Sequence, residues 1–331
     1  QLGVVLILFS TLTLALHHVV VQVMGTPGKL FGSEALALGG VLSLKTFSSS
    51  LLLFWVRMIA IVPLMAWVSG VLYPPVWRDV RALFALRDRR WLWSLVGSGI
   101  FLLLSQVFLY IAISETTPAI AVALSSTYPI AMLPLTWLLF GDRPPRLRVV
   151  GLLILLVGLG FTVFAAPIAL SNEGLVAALL SGVMLALYLV SMMIINRRKV
   201  NPVPISLIQN ATMFVLSSLF LIGVGTKAAP SDWTGLLVGG LILGSLTIVS
   251  YALNDFGSRL LGAARATIIA ASVPVLTALL AFIILPAANS LSLGQIVGIF
   301  VVTLGTVALS LERILSQYKA MRRSKVNSVP Q

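Results

Sequence analysis

Cysteine is absent from all 331 residues, which removes disulfides, thiolate metal sites and cysteine nucleophiles together. Charge is scarce as well. Asp, Glu, Lys and Arg make up 9% of the chain, against about 25% in an ordinary soluble domain. Two histidines and nine acids leave little material for a zinc site or a paired-carboxylate active site. No GxxxxGK[ST] phosphate loop occurs, and no soluble segment is available to house one. What the chain does have is apolar surface: 59% of it is hydrophobic. So few charges cannot cover a soluble protein of this length, so most of its solvent must be lipid. The fold class is an all-α polytopic membrane protein.

A span needs about 20 apolar residues. That rule places ten transmembrane helices near 2–24, 48–72, 92–114, 118–140, 149–170, 174–195, 205–226, 234–254, 265–286 and 292–312. Turn-forming stretches such as YPPVW, GDRPPR, NRRKVNP and LPAANS separate them. With the N-terminus in the cytoplasm, 18 Lys and Arg fall on the cytoplasmic side and three (Lys29, Lys45, Lys227) outside, Arg57 lying within a span. The positive-inside rule therefore puts both termini in the cytoplasm. The net charge of +13 orients the protein, and nucleic acid is not needed to explain it. The sequence opens on Gln1, which implies upstream residues, and its first apolar run is too long and lacks the small-residue site of a secretory signal.

Within the fourth span, SSTYPIAMLPLTW (125–137) places a proline after three hydroxyls in the middle of an apolar run. The ninth span repeats the device. Pro129 aligns with Pro274, Gly151 with Gly298 and Gly158 with Gly305, while FLYIAIS (108–114) resembles IVSYALN (248–254). The chain reads as two five-helix halves, 1–170 and 171–312, followed by a basic cytoplasmic tail, 313–331. Five is odd, so the second half enters the membrane upside down. Inverted repeats mark secondary transporters, and interrupted helices in matching positions point to a substrate site near the midplane. Pro129 and Pro274 are the expected hinges.

Polar residues at depth are the candidate site. Arg57 lies about 15 Å into the second span at 1.5 Å per residue. A guanidinium there costs from about 2.5 to over 10 kcal/mol unless it meets water or a partner. It either attracts an anionic group of the substrate or ties helix ends together. His17 and His18 share the middle of the first span, but adjacent residues lie about 100° apart on a helix. One is expected to line the cavity, as a contact or proton relay, and the other to pack. Tyr188 occupies in the second half the place of His17 in the first. Gln106, Tyr110, Tyr128 and Tyr251, on or beside the interrupted helices, complete the expected substrate-binding set, while Glu115 and Asp255 read as helix caps. Gly151, Gly158, Gly298 and Gly305 permit close helix packing, within the chain or across a homodimer.

These features resemble the drug/metabolite transporter superfamily, specifically its EamA-type ten-helix members. The matching stretches are LLFWVRMIAIVPLM with its single Arg and YIAISETTPAIAVALSSTYPIAMLPLTWLLFGDRPPRLRVVGLLILLVGLG, a small-residue helix with a proline, a Gly-acid turn and a glycine-bearing helix. Two departures stand out. Ala287 and Ala288 replace the equivalent of Gly141 and Asp142, so the acidic turn is structural. The outer segment 25–47 is long, and a spacer is favoured over a lid. The inverted repeat and the resemblance imply a secondary transporter of a small polar or amphipathic metabolite in a bacterial inner membrane; the motifs say almost nothing of the substrate, and Arg57 with the lack of buried acids favours an amino acid or related organic anion or zwitterion. A non-transporting receptor or scaffold, or an intramembrane enzyme on a lipid-linked substrate, is the alternative. No cofactor or metal is expected; the partners are the substrate and membrane lipid.

Overall fold

The computed structural model describes residues 1–26, 39–85, 89–141, 145–165, 171–197, 200–224, 230–286 and 291–327. Among them every regular element is helical. The first half holds α1 (Leu2–Gly25), α2 (Phe47–Leu72), α3 (Val76–Phe84), α4 (Arg89–Glu115), α5 (Pro118–Ser125), α6 (Tyr128–Phe140) and α7 (Arg146–Phe164). The second holds α8 (Asn172–Asn196), α9 (Pro202–Val224), α10 (Trp233–Leu261), α11 (Ala263–Ala270), α12 (Val273–Ile284) and α13 (Leu293–Asn327). Ten membrane-length apolar spans result, because α5 with α6 and α11 with α12 each make one interrupted crossing. Asp142, Ala287 and Ala288 lie outside the described residues.

The interruptions follow from local chemistry. Pro129 has no N–H for the carbonyl one turn back, and the chain turns at Ser126–Thr127 before α6 begins. Hydroxyls bond to nearby carbonyls at the turn: Ser126 Oγ donates to Val122 O at 2.7 Å and Thr127 Oγ1 to Leu124 O at 2.6 Å. In the second half the turn falls at Ala271–Ser272 before Pro274, with Ser272 Oγ donating to Ile269 O at 2.7 Å. Gly141 ends α6 at φ 69°, the left-handed region that glycine adopts without strain.

Packing exchanges between the halves. α1 lies against α10, and α8 against α4; α2 meets α10 as α9 meets α4; α7 and α13 pair with each other. Individual contacts repeat the exchange. Ser10 Oγ donates to Ser250 O at 2.8 Å, and Ser105 Oγ to Ser181 O at 3.0 Å. A Cβ on Gly244 would meet Ala60 Cβ at 2.8 Å, and one on Gly99 would meet Thr212 Cβ at 3.1 Å. These pairs put α4 and α10 in register at 105 with 250 and 99 with 244, the same offset that relates Pro129 to Pro274. The alignment of FLYIAIS with 248–254 is therefore corrected by five residues: Gln106 matches Tyr251, and Tyr110 matches Asp255. The glycine contacts likewise match Arg57 O with Gln209 O, each facing one of these glycines, so the counterpart of Arg57 is a neutral amide.

The crossing of α7 and α13 is close because it is made by glycines. A Cβ on Gly158 would stand 2.6 Å from Val302 N, and one on Gly305 would stand 3.0 Å from Leu155 N. Gly151 meets Leu309 and Gly298 meets Thr162 in the same exchanged way. These four glycines thus serve a contact within the chain.

Three segments differ from the sequence expectation. Val41, Leu42 and Leu44 are buried; Gly40 N donates to Val23 O and Ser231 N to Val41 O. Residues 39–46 therefore strap α1 to the start of α10, while 27–38, the greater part of the segment read as a spacer, lie outside the described residues. The stretch after YPPVW forms α3, burying Val76 and Leu83 against the bundle while Trp77 and Phe84 stay about half exposed. The basic tail continues the tenth span as helix to Asn327.

Candidate functional site

Cavities of about 470 and 240 Å³ lie side by side in the bundle and share Leu102, Gln106, Tyr188 and Tyr251. The larger is walled by His18 of α1, Gln106 of α4, Tyr128 and Pro129 of α6, Tyr188 of α8, Tyr251 of α10 and Pro274 of α12. The smaller is walled by Arg57 of α2, Gln209 and Asn210 of α9, and Thr247, Asn254 and Asp255 of α10. A third, of about 430 Å³, touches the larger at Pro129 and Leu309 and runs past Thr136, Arg148 and Asn196. All three extend from mid-bundle toward the end that carries Leu2, Tyr73, Gly141 and Gly262. The opposite half is filled by buried Ile111, Ile113, Ile120, Ala178 and Leu236. Across it, the Phe47 ring packs on Phe108 and Phe220 at centroid distances of 6.1 and 5.3 Å.

Arg57 is 4% exposed and is held by neutral groups. Its Nη1 donates to Tyr110 OH at 2.7 Å and to Gln106 Oε1 at 3.4 Å, and lies 3.3 Å from His17 Nε2. The Phe54 ring lies 4.7 Å from the guanidinium carbon, and the Tyr110 ring 5.6 Å, so two π faces add to its solvation. The tautomer of His17 follows from these contacts. Arg57 and Tyr110 are both donors toward Nε2, at 3.3 Å each, so Nε2 accepts and Nδ1 carries the proton. Nδ1 faces Thr247 Oγ1 at 3.4 Å, and that hydroxyl passes its own proton to Leu243 O at 2.8 Å. Four helices, α1, α2, α4 and α10, thereby meet on one cation.

The guanidinium is unevenly used. All three contacts are made by Nη1, which gives one hydrogen to Tyr110 OH and shares the other between Gln106 Oε1 and His17 Nε2, while its buried Nε has no hydrogen-bond partner among the described residues. Nε is sealed within the packing and is not presented to the cavity. His18 Nδ1 is likewise buried without a partner. No acid pairs with Arg57 among the described residues; the ion pairs there are Lys45–Glu115 and Arg78–Asp79.

Of the residues singled out from sequence, His18, Gln106, Tyr128, Tyr188, Tyr251, Pro129 and Pro274 line the larger cavity, and Arg57 the smaller. His17 and Tyr110 stand behind the wall, fully occupied in holding Arg57. The two histidines do diverge, His18 to the cavity and His17 to the network. Glu115 ends α4 and pairs with Lys45 at 3.4 Å. Asp255 is corrected: α10 runs on to Leu261, so this carboxylate sits on the cavity wall instead of capping a helix. Thr247 was missed. It is one β-branched residue in an apolar helix, and only the approach of α1 to α10 gives it a role. Gln209 is a polar residue of the apolar α9, and its match to Arg57 becomes visible only through packing.

A ten-span helical bundle in two halves with exchanged packing around a set of internal cavities defines a polytopic membrane protein. The chain belongs to the EamA-like transporter family, whose model matches it twice, over residues 30–164 and 172–311. It is 33% identical over 319 residues to an uncharacterized transporter of Synechocystis sp., covering 95% of this chain and 94% of that one. One solved crystal structure shares the fold, with a TM-score of 0.51 at 21% identity, covering 95% of this chain and 97% of that one.

Proposed function

We propose that this protein is a secondary transporter of the bacterial inner membrane that carries a small metabolite bearing a carboxylate, an amino acid or related organic anion or zwitterion, by alternating access. The observation that carries the substrate class is the place of Arg57 on the wall of the smaller cavity with only neutral partners among the described residues. A buried cation on a cavity wall, held by neutral groups alone, is complementary to a carboxylate or similar oxyanion and repels organic cations. The surrounding tyrosines, Leu102 and Leu109 suit the apolar part of such a molecule.

The exchanged packing of the two halves and the pair of turns at Pro129 and Pro274 support a rocking motion about the midplane. The cavities reach one end of the bundle, the basic end, so this conformation is open to the cytoplasm. A receptor or scaffold reading leaves the twofold exchange of contacts without a purpose. An enzyme acting on a lipid-linked substrate needs a cluster of acids or histidines near an interface, and the sequence offers none.

A thermal-shift screen of the purified protein tests the reading, using amino acids, short carboxylates, nucleotides, phosphorylated sugars and organic cations. A ligand at 100 times its Kd adds about 2.7 kcal/mol of stability. Carboxylates should raise Tm, and the rise should vanish in Arg57→Ala and shrink in Gln106→Ala. A shift with organic cations that survives Arg57→Ala refutes the assignment.

A further inference from the structure

We infer that this carrier is an exchanger: it crosses between its two open states readily when an anion sits on Arg57 and poorly when empty. The inference rests on the substrate reading above and adds the mode of coupling. Its basis is a charge count around the smaller cavity. Arg57 contributes one positive charge at mid-membrane, and the groups that touch it, His17, Gln106, Tyr110 and the Phe54 ring, are all neutral. The other polar groups on the smaller cavity's wall, Gln209, Asn210, Thr247 and Tyr251, are neutral too. Asp255 is the one carboxylate there among the described residues. It lies eight residues along α10 from Thr247, about 12 Å at 1.5 Å per residue, and makes no ion pair with Arg57.

In the open state the guanidinium is nearly buried, and water in the adjoining cavity lowers the cost of its charge. Alternating access requires a state closed at both ends, from which most of that water is expelled. The empty carrier must then hold an uncompensated cation in a low-dielectric interior, which is the costly case for a buried charge. A carboxylate beside Arg57 in the smaller cavity supplies the missing charge, so the loaded carrier closes without that penalty. The second half provides no substitute, since Gln209 stands where a symmetric charge would be. Exchange of one anion for another follows, because the return step also needs a passenger.

The absence of native cysteine allows a test that needs no identified substrate. A single Leu109→Cys on the cavity wall is labelled with an impermeant thiol reagent in vesicles of each orientation, without ligand. Labelling should be at least tenfold faster from the basic end than from the other. Adding Gln106→Glu places a carboxylate beside Nη1 and should raise labelling from the second side tenfold or more. Arg57→Gln should do the same by removing the charge, and the two variants cover each other if one fails to fold. Equal labelling from both sides in the parent, or one-sided labelling that neither folded variant relieves, overturns the charge block.

Proteoliposomes supply the second arm, with radiolabelled pyruvate and leucine as probes. Uptake should be at least tenfold faster into vesicles preloaded with the same compound than into empty ones. Equal uptake in both overturns exchange while leaving the substrate reading intact. No uptake in either, with the labelling pattern as expected, overturns the substrate reading while the charge block stands.

Discussion

Alanine at Gly158 and alanine at Gly160 should move stability in opposite directions although the two residues lie half a turn apart on α7. At Gly158 the added Cβ would sit 2.6 Å from Val302 N, 2.9 Å from Val302 Cγ2 and 3.0 Å from Val301 C. Two of these are backbone atoms of α13, which cannot rotate away, so the helices must separate along the whole crossing. Overpacking of this kind costs about 1–3 kcal/mol, partly offset by the roughly 0.5–1 kcal/mol that alanine gains over glycine in a helix. At Gly160 the nearest atom is the flexible Phe164 Cδ2 at 4.0 Å, so only the gain should remain. Thermal unfolding in detergent, followed by tryptophan fluorescence, reads both variants. Gly158→Ala should melt several degrees below the parent and Gly160→Ala at or above it. Because the contact lies within one chain, Gly158→Ala should leave the oligomeric state unchanged. Equal melting temperatures for the two variants, or a change of oligomeric state without destabilisation, would refute the argument.

Other outcomes follow from the same geometry. Tyr110→Phe removes the 2.7 Å acceptor of Arg57, a hydrogen bond to a charged group worth about 1.5–3 kcal/mol; its Tm should fall even with carboxylate present. Pro274→Ala restores an amide to the turn before α12 and should slow transport several-fold while leaving Tm within a degree or two, whereas equal loss of both would make the proline a packing feature. Lys45→Ala should change stability by less than about 1 kcal/mol, since its 3.4 Å pair with Glu115 leaves the lysine 64% exposed.

The bundle was legible in the sequence because lipid imposes simple rules: long apolar runs, turn residues between them and basic residues on one side. The interruptions were legible too, though not from proline alone. Pro63 and Pro134 lie inside continuous helices, and neither follows a hydroxyl closely. Pro129 and Pro274 follow Ser126–Thr127 and Ser272, whose side chains bond to carbonyls at the turn. What could not be read was side-chain direction. Whether His17 or His18 faces the cavity depends on the rotation of α1 against α10, and nearly uniform hydrophobicity around each helix carries no phase. The register of α4 against α10 failed for the same reason, since a five-residue slip between two apolar helices leaves their patterns equally alike. Short, polar α3 escaped notice because a span rule looks for length.

The exchanged packing of the halves also sets a timetable for biogenesis. Arg57, Tyr110 and His17 are all present once the chain has been made as far as Tyr110, so the cation can find its neutral partners early. Thr247 completes the His17 contact from 230 residues further on, and α10, against which α1 packs, arrives with it. At about 5–20 residues per second, α1 therefore waits in the bilayer for tens of seconds before its partner is synthesised. During that interval His18 and Ser10 face lipid or transient neighbours, and α1 is the element a membrane insertion chaperone has most reason to hold.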